Sequence, residues 1–316
     1  MHHATGAFLP SLLSFEAYDF MSACSTPLDA STRLVLLLGN PVEHSLSPCI
    51  HNTAFAAHDI NAVYAAMQVR AGDLEDAVQG MRALRVLGAN VTIPHKERIV
   101  PLLDSVSPRA KALGAVNTVV VQGDAEAPTL HGDNTDAMGF LSPLRERANL
   151  HGQPMTILGA GGAARAAVYA LGTTYAPAPL TVAARRPEQA QALVDALAPH
   201  LDSASTLTAC PLSSAEAAVR SSRLVVNATP VGMAPHADAT PWPEATCFSS
   251  RQLVYDLVYT PRPTRLLREA RAQGADTQDG LAMLIGQAAA AYQQWTDRAM
   301  PVDVVQDAVA THLDAS

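Results

Sequence analysis

The segment MTILGAGGAAR, from Met155 to Arg165, constrains the fold of this chain more than any other. Its apolar start, Met155 to Leu158, predicts a buried strand, and the run from Ala163 to Leu171 predicts a helix. The turn between them matches the small-residue pattern of dinucleotide-binding strand–turn–helix units. In such units, glycine lets the backbone approach a pyrophosphate, which the N–H groups at the helix N-terminus bind. We therefore predict a Rossmann-type fold that binds a dinucleotide.

The residues after the next strand indicate which dinucleotide is bound. Leu180 to Ala184 predicts that strand, and Arg185 and Arg186 follow it directly. An NAD site normally has a carboxylate here, bonded to the ribose 2′-hydroxyl, but the first carboxylate after this strand is Glu188. Guanidinium groups suit the 2′-phosphate of NADP, which accepts bidentate hydrogen bonds. The arginines favour NADP(H), and the alternative interpretation is a solvated loop end.

Composition limits the class of protein. The 316 residues predict about two domains, and a hydrophobic fraction of 48% is enough for full cores. A net charge of −8 argues against general affinity for nucleic acid or for an anionic membrane surface. The cysteines, Cys24, Cys49, Cys210 and Cys247, form no CxxC pair and no metal-binding pattern. We therefore expect a cytoplasmic protein with reduced thiols, no metal and no membrane span.

Strands alternate with helices in the first half, which predicts a mostly parallel sheet. Predicted strands cover Arg33–Leu38, Ala62–Gln68, Ala89–Ile93, Asn117–Gln122 and Thr129–His131, and predicted helices start at Ser47 and cover Asp73–Leu87, Pro108–Leu113 and Ala137–Arg147. We expect Leu84 on the buried stripe of the second helix, and Gly88 to end that helix. The Ser47 hydroxyl is expected to cap the first helix, whereas Ser45 has no local role and would project from the loop. Asn90 and Thr92 share one face of a strand end, which predicts a pocket wall.

The second half continues the alternation. Predicted strands cover Leu224–Asn227 and Leu253–Leu257, and predicted helices cover Glu188–Ala198, Thr264–Gln273, Leu281–Trp295 and Val302–Leu313. We expect no element in the proline-rich loop after Thr229. Residues 32–135 and 281–316 would form one α/β domain, with the C-terminal helices packing back on it, and residues 136–280 would form the Rossmann-type domain. Residues 1–31 lack the basic start of a signal peptide, and we expect a flexible extension there.

Motifs along most of the chain resemble those of the shikimate/quinate dehydrogenase family. They are GNPVEHSLSPCIHN (39–52), NVTIPHKE (90–97), GAVNT (114–118), GDNTD (132–136), GAGGAAR (159–165), NATPVGM (227–233), YDLVY (255–259) and DGLAMLIGQA (279–288). The resemblance runs from about Leu34 to the C-terminus. It implies NADP-dependent, reversible reduction of 3-dehydroshikimate to shikimate, on the route to chorismate and the aromatic amino acids.

The resemblance also implies roles for individual residues. Lys96 and Asp136 would be the catalytic pair, with Asp136 holding Lys96 and the reacting hydroxyl in line. Substrate would be bound by Ser45 and Ser47 at its carboxylate and by Asn90, Thr92, Asn117 and Gln287 at its ring hydroxyls, with Tyr259 nearby. The cofactor would be held by Gly159, Ala160, Gly161, Gly162, Ala163, Ala164, Ala184, Arg185, Arg186, Thr229, Met233, Gly280 and Met283. Gln189 occupies a position where the family often has another basic residue, so the strength of the preference for NADP over NAD is left open.

Other interpretations remain open. A quinate/shikimate or aminoshikimate dehydrogenase would keep the chemistry and change the substrate, although Ser47 and the two arginines favour shikimate and NADP. A catalytically inactive NADP-binding regulator would be expected to lack Lys96 or Asp136, and both are present. Two residues also have purely structural interpretations. Asp136 suits the first turn of a helix, where the helix dipole favours a carboxylate, and the Gln287 amide could form its hydrogen bonds within its own helix. Both a monomer and a homodimer agree with the sequence.

Overall fold

The computed structural model describes residues 28–123, 126–145 and 149–314, and in these ranges it contains two six-stranded sheets. The first sheet has strands β1 (Arg33–Gly39), β2 (Ala62–Gln68), β3 (Gly88–Val91), β4 (Ser105–Val106), β5 (Thr118–Gln122) and β6 (Thr129–Asp133). The second has β7 (Met155–Leu158), β8 (Leu180–Ala184), β9 (Leu207–Pro211), β10 (Leu224–Asn227), β11 (Leu253–Asp256) and β12 (Asp276–Gln278). The predicted α/β class is confirmed. The sheets lie on either side of the predicted boundary at residue 135, and the domain division itself stays a prediction.

Helices connect the strands. They are α1 (Ser47–Ala57), α2 (Leu74–Ala83), α3 (Pro108–Leu113), α4 (Asp136–Leu141), α5 (Gly162–Thr174), α6 (Pro187–Leu197), α7 (Glu216–Ser221), α8 (Arg265–Ala272), α9 (Leu281–Thr296) and α10 (Val302–Asp314). Short 3₁₀ turns lie at Val100–Leu102, Ser142–Leu144, Ala198–His200, Leu212–Ser214 and Ala245–Cys247. Across the described ranges, none of the helices has the length and apolar character needed to cross a bilayer.

The second sheet is parallel throughout and has the order β12-β11-β10-β7-β8-β9. The chain leaves β7 toward β8 on one side and later returns to β10 on the other. The carboxyl end of β7 is therefore the point where the strand order reverses, which is where open α/β sheets bind ligands. β7 is buried along its whole length, as expected for a strand covered on both faces.

The first sheet has the order β2-β1-β3-β5-β6-β4. Strands β2, β1 and β3 are parallel, β5 and β6 form an antiparallel hairpin beside β3, and β4 is parallel to β6. The sheet is thus mixed, with more parallel than antiparallel pairs. Val305 and Val309 of α10 are buried in its core with Ile50 of α1, as predicted for a last helix that packs back on the first half.

Helices α4 and α9 cross where both have glycine. A Cβ at Gly139 would lie 2.5 Å from the Gln287 backbone nitrogen, and a Cβ at Gly286 would lie 2.7 Å from the Ser142 side chain. Only glycine at these two positions allows the helices to approach this closely. The crossing therefore holds the start of α4, with Asp136, beside the middle of α9, with Gln287.

Several predicted boundaries are wrong for identifiable reasons. Helix α2 ends at Ala83 rather than Leu87, because Arg85 turns the chain with φ +52, and Leu84 is 69% exposed instead of buried. Gly88 does not end the helix; it begins β3, where a Cβ would lie 2.2 Å from the Trp295 indole nitrogen. β4, β9, β12 and α7 were not predicted, because each is short and only partly buried.

The structure describes only residues 28–31 of the predicted N-terminal extension. Residues 1–27 lie outside the described residues, as do residues 146–148 of the predicted helix after GDNTD. Asn61 donates hydrogen bonds to the Asp29 carboxylate at 3.0 Å and to the Ser31 hydroxyl at 2.8 Å. The last residues of the predicted extension are therefore attached to the loop before β2.

A buried histidine in the first sheet makes stability depend on pH. His51 is fully buried, and its ring stacks on that of Tyr64 with centroids 4.5 Å apart. Burial lowers the pKa of His51 from 6.5 to about 3, although the Asn90 side chain raises it. The unfolded chain therefore takes up a proton near pH 6.5 and the folded chain does not. The free energy of unfolding should fall as the pH drops from 6.5 toward 3, by at most about 1.4 kcal/mol per pH unit.

We predict that His51→Phe flattens this pH dependence, because the folded and unfolded states then bind the same number of protons at this position. The measurement is denaturant unfolding between pH 4 and pH 8, with the exposed His200→Phe as matched control. An unchanged slope in His51→Phe would show that other groups cause the dependence.

Candidate active site

The turn after β7 requires glycine and forms an open cradle. Gly159 has φ +113, and a Cβ there would lie 2.8 Å from Thr229 Cγ2 and 3.0 Å from the Ala228 carbonyl oxygen. A Cβ at Gly161 or Gly162 would meet nothing within 4 Å, so the space beside the N-terminus of α5 is free. This helix has no side-chain cap, and its first N–H groups face that space. The cradle therefore has space and backbone donors for a pyrophosphate, and the cofactor role of Gly159 to Ala164 stays a prediction.

The two arginines after β8 lie at the same edge of the second sheet. Arg185 and Arg186 are exposed, and neither has an ion pair within the described residues. Arg185 lines a cavity of about 510 Å³ together with Leu212 and Trp242. These two lining residues were not predicted, because they lie in the turn after β9 and in the proline-rich loop, which have no periodic pattern. The arginines fit a phosphate group at this end of the cradle.

The other residues predicted to bind the cofactor are divided between two places. Thr229 and Met233 lie in the loop after β10, where the Thr229 hydroxyl donates to Asn227 Oδ1 at 2.7 Å and Met233 is 47% exposed. Gly280 and Met283 lie at the start of α9 and line the cavity between the sheets. A Cβ at Gly280 would lie 2.0 Å from the Leu257 carbonyl oxygen, so this position requires glycine.

A cavity of about 400 Å³ lies between the two sheets. Its walls contain every predicted catalytic and substrate-binding residue: Ser45, Ser47, Asn90, Thr92, Lys96, Asn117, Asp136, Tyr259 and Gln287. Ala163, Gly280 and Met283, which were predicted to bind the cofactor, line the same cavity. His44 and Leu257 also line the cavity and were not predicted, although both belong to motifs quoted above. Residues that lie far apart in the sequence thus meet at one site.

The centre of this cavity is an ion pair. Lys96 Nζ lies 2.6 Å from Asp136 Oδ2, with 31% and 16% of the two side chains exposed. Asn117 Nδ2 donates to the other carboxylate oxygen, Oδ1, at 2.7 Å. Asp136 is also in the first turn of α4, where the helix dipole favours a carboxylate. The carboxylate is therefore held on both oxygens, and the lysine amine stays accessible to a ligand.

The loop before Asp136 is fixed by a second, separate ion pair. Arg109 Nη2 donates to Asp133 Oδ2 at 2.6 Å, and Gln294 of α9 donates to the same oxygen at 2.8 Å. Burial disfavours the charged Asp133, but the hydrogen bonds from Arg109 and Ser107 outweigh it and lower the pKa of that carboxyl. The charged Asp133 thus connects α3, β6 and α9 beside the site.

The structure contradicts the predicted local roles of Ser45 and Ser47. Helix α1 begins at Ser47, and no side chain caps it in the way predicted for the Ser47 hydroxyl. The Ser45 hydroxyl, predicted to have no local role, instead accepts from the Ser47 backbone N–H at 3.2 Å. Because Ser47 is already the first helical residue, its hydroxyl is not needed as a cap. Both serines line the cavity.

Two amides in the cavity wall have partners inside the protein. Asn90 is 5% exposed; its Oδ1 accepts from the Tyr64 hydroxyl at 2.8 Å, and its Nδ2 donates to Asn117 O and Thr118 Oγ1. Both polar atoms of the Asn90 amide therefore have partners within the protein, while Oδ1 keeps a second lone pair and the residue lines the cavity. Gln287 Nε2 donates to Leu284 O at 2.9 Å within α9, and its side chain still lines the cavity.

We predict that Gly159→Ala weakens both the fold and dinucleotide binding, because a side chain at φ +113 is strained and would contact Ala228. The expected loss is about 1–2 kcal/mol of unfolding free energy, together with at least a tenfold weaker binding of NADPH in a fluorescence titration. Gly80→Ala in α2 is the matched control, since a Cβ there meets nothing within 4 Å. Equal behaviour of the two variants would contradict the role of the turn.

Comparisons with known proteins agree with this geometry. Family models described as shikimate dehydrogenase substrate binding domain and shikimate 5′-dehydrogenase C-terminal domain match residues 37–119 and 280–310. A shikimate dehydrogenase (NADP(+)) of Salinibacter ruber is 59% identical over 286 residues, which are 90% of this chain and 99% of that protein.

Solved structures show the same fold. The Thermus thermophilus shikimate 5-dehydrogenase in complex with NADP(H) and shikimate is 36% identical, with a TM-score of 0.77, over 89% of this chain and 99% of that one. The Corynebacterium glutamicum quinate dehydrogenase in complex with NAD is 33% identical, with a TM-score of 0.80, over 89% of this chain and 99% of that one. The identity and coverage of the Salinibacter relative, with the geometry above, show that this chain belongs to the shikimate dehydrogenase family.

Proposed function

We propose that this protein catalyses the reversible, NADP-dependent reduction of 3-dehydroshikimate to shikimate, in the route to chorismate and the aromatic amino acids. The observation that carries the proposal is the Lys96–Asp136 pair, with its atoms 2.6 Å apart, in a cavity that both sheets line. Gly280 and Met283, at the start of α9, line the same cavity. A proton-carrying amine thus lies between a substrate pocket and a dinucleotide cradle.

The chemistry needs one hydride and one proton. The cofactor, when bound, supplies or accepts the hydride at the ring carbon. Lys96 donates the proton to the carbonyl oxygen as it becomes a hydroxyl, and removes that proton in the direction of oxidation. Asp136 accepts hydrogen bonds from Lys96 and Asn117, so it holds the amine beside the reacting oxygen. Asp136 is therefore more than a favourable first-turn carboxylate.

The cavity wall suits a small polyhydroxylated acid. Ser45 and Ser47 are the proposed ligands of the carboxylate, and Thr92, Asn117 and Gln287 those of the ring hydroxyls, with Tyr259 alongside. A pocket built to bond hydroxyls discriminates strongly against analogues that lack them, because its buried polar groups would be left unpaired. The Asn90 amide already has its partners within the protein. Asn90 also lines the cavity, and its Oδ1 has a second lone pair, so we propose that it both supports the pocket and accepts from a ring hydroxyl.

The cofactor end supports NADP. Ala184 ends β8, and Arg185 and Arg186 follow it at the edge of the cradle. Among the described residues neither arginine has an ion pair, although Glu216 and Glu244 line the same cavity as Arg185. We propose that their guanidinium groups bind the 2′-phosphate and that residues 136–280 form the NADP-binding domain. Residues 32–135 and 281–316 would form the substrate-binding catalytic domain, and the reaction would take place in the cytoplasm.

Two other candidates are close enough to need a direct test. A quinate/shikimate or aminoshikimate dehydrogenase has support in the similarity to a quinate dehydrogenase solved with NAD. An inactive regulator would keep the cradle and lose the chemistry. The experiment is initial-rate absorbance of reduced nicotinamide with shikimate or quinate, each with NADP⁺ or NAD⁺. We expect the highest kcat/KM with shikimate and NADP⁺. A preference for quinate would establish a quinate dehydrogenase. No turnover with either substrate would contradict the proposed function, and a further assay with aminoshikimate would then separate an aminoshikimate dehydrogenase from the inactive regulator.

We predict that Lys96→Met lowers kcat by about 10²–10⁴-fold and leaves the KM for shikimate within about threefold, because it removes the proton donor and keeps the pocket walls. Steady-state kinetics with shikimate and NADP⁺ measure both constants. Lys111→Met is the matched control, since Lys111 is exposed on α3. A Lys96→Met enzyme with kcat near that of the wild type would refute the acid–base role.

We predict that Arg185→Ala raises the KM for NADP⁺ by about 10–100-fold and changes that for NAD⁺ little, because a charge-assisted bond to phosphate is worth about 1.5–3 kcal/mol. The matched control is Arg251→Ala, because Arg251 is exposed and precedes β11, at the opposite edge of the second sheet from Arg185. This variant should behave as the wild type. Equal losses with both cofactors would mean that Arg185 does not recognise the 2′-phosphate.

A further inference from the structure

A chain of hydrogen bonds runs from the core of the first sheet to the catalytic carboxylate. The Tyr64 hydroxyl donates to Asn90 Oδ1 at 2.8 Å, and Asn90 Nδ2 donates to Thr118 Oγ1 at 3.2 Å. Thr118 Oγ1 donates to Asn117 Oδ1 at 3.0 Å, and Asn117 Nδ2 donates to Asp136 Oδ1 at 2.7 Å. The register of the sheet produces this order, because β5 places Thr118 directly opposite Asn90 of β3.

The orientation of the Asn117 amide is imposed by its neighbours. The Thr135 backbone N–H can only donate, so the amide atom 2.7 Å away from it must be the oxygen. The Asp136 carboxylate can only accept, so the amide atom 2.7 Å away from it must be the nitrogen. A flipped amide would place its NH₂ group against the Thr135 backbone N–H and its oxygen against the Asp136 carboxylate. The hydroxyls of Thr118 and Thr135 lie 3.0 and 3.1 Å from the same oxygen and reinforce this orientation.

From this geometry we infer that Thr118 is a positioning residue of the catalytic pair, acting through Asn117. Thr118 is 0% exposed and does not line the cavity, so it touches neither ligand. Its hydroxyl accepts from Asn90. Its single proton goes either directly to Asn117 Oδ1 or to the Thr135 hydroxyl at 3.0 Å, which itself reaches the same Asn117 oxygen at 3.1 Å. By either route the proton is directed at the Asn117 oxygen. With its oxygen occupied, Asn117 offers only N–H groups: one holds Asp136, and the other is left for an acceptor oxygen of the ligand. The inference rests on the proposed function.

The test compares Thr118→Val, which removes the hydroxyl at nearly constant shape, with Thr118→Ser, which keeps it. The matched control is Thr156→Val, because Thr156 is also 0% exposed on a strand and bonds Ser222 at 2.8 Å in the second sheet. The kinetic constants are measured with shikimate and NADP⁺, and enzyme concentration is counted as NADPH-binding sites by fluorescence titration. We expect Thr118→Val to lower kcat about tenfold with KM values within about threefold. Thr118→Ser and Thr156→Val should keep kcat within about twofold.

The possible results distinguish failure of this inference from failure of the proposed function. A Thr118→Val enzyme with normal kcat per binding site overturns the inference alone, as does an equal loss of kcat in Thr156→Val. Failure of Thr118→Ser to restore kcat also overturns it, because the hydroxyl would then not be the cause. If Thr118→Val does not fold, Thr118→Ala removes the same hydroxyl with a smaller side chain and is held to the same expectation. A wild type that does not oxidise shikimate overturns the proposed function, and this inference with it.

Discussion

The Lys96–Asp136 ion pair is the interaction on which the rest of the site depends. A lysine amine is a useful proton donor only where it is held, and Asp136 holds it at 2.6 Å while Asn117 holds the opposite carboxylate oxygen. Much of the surrounding fold fixes these atoms. The glycine crossing of α4 and α9 sets the position of Asp136, and the Arg109–Asp133 pair fixes the loop that leads to it.

The two sheets supply different halves of the chemistry. The first sheet ends in neutral polar side chains and one amine, which suit a small acid with several hydroxyls. The second sheet ends in a glycine turn with free backbone N–H groups and two exposed arginines, which suit a phosphorylated dinucleotide. Helix α9 joins them, since Met283 and Gln287 line the same cavity while Tyr292 and Trp295 are buried in the first sheet's core. Substrate and cofactor can therefore meet at one place.

Residues that follow strands were predictable from the sequence, and residues set by tertiary packing were not. The end of β3 predicted a pocket wall at Asn90 and Thr92, and both line the cavity, because ligands bind at strand edges in α/β sheets. The turn after β7 was likewise predicted at Gly159. Leu84 followed the helical period but lies beyond the end of α2, and Ser47 had the sequence of a cap yet begins the helix itself. No local pattern indicates that Gly88 makes room for Trp295, which lies far away in the sequence, near the C-terminus.

The most direct test is a crystal structure of this chain with shikimate and NADP⁺ bound, from which the distance between Lys96 Nζ and the ring oxygen nearest the nicotinamide is measured. The account predicts hydrogen-bond reach, about 2.6–3.2 Å, with the Asp136 carboxylate still bonded to the amine. A ring oxygen well outside that reach, or a Lys96 amine turned away from the ligand, would contradict it.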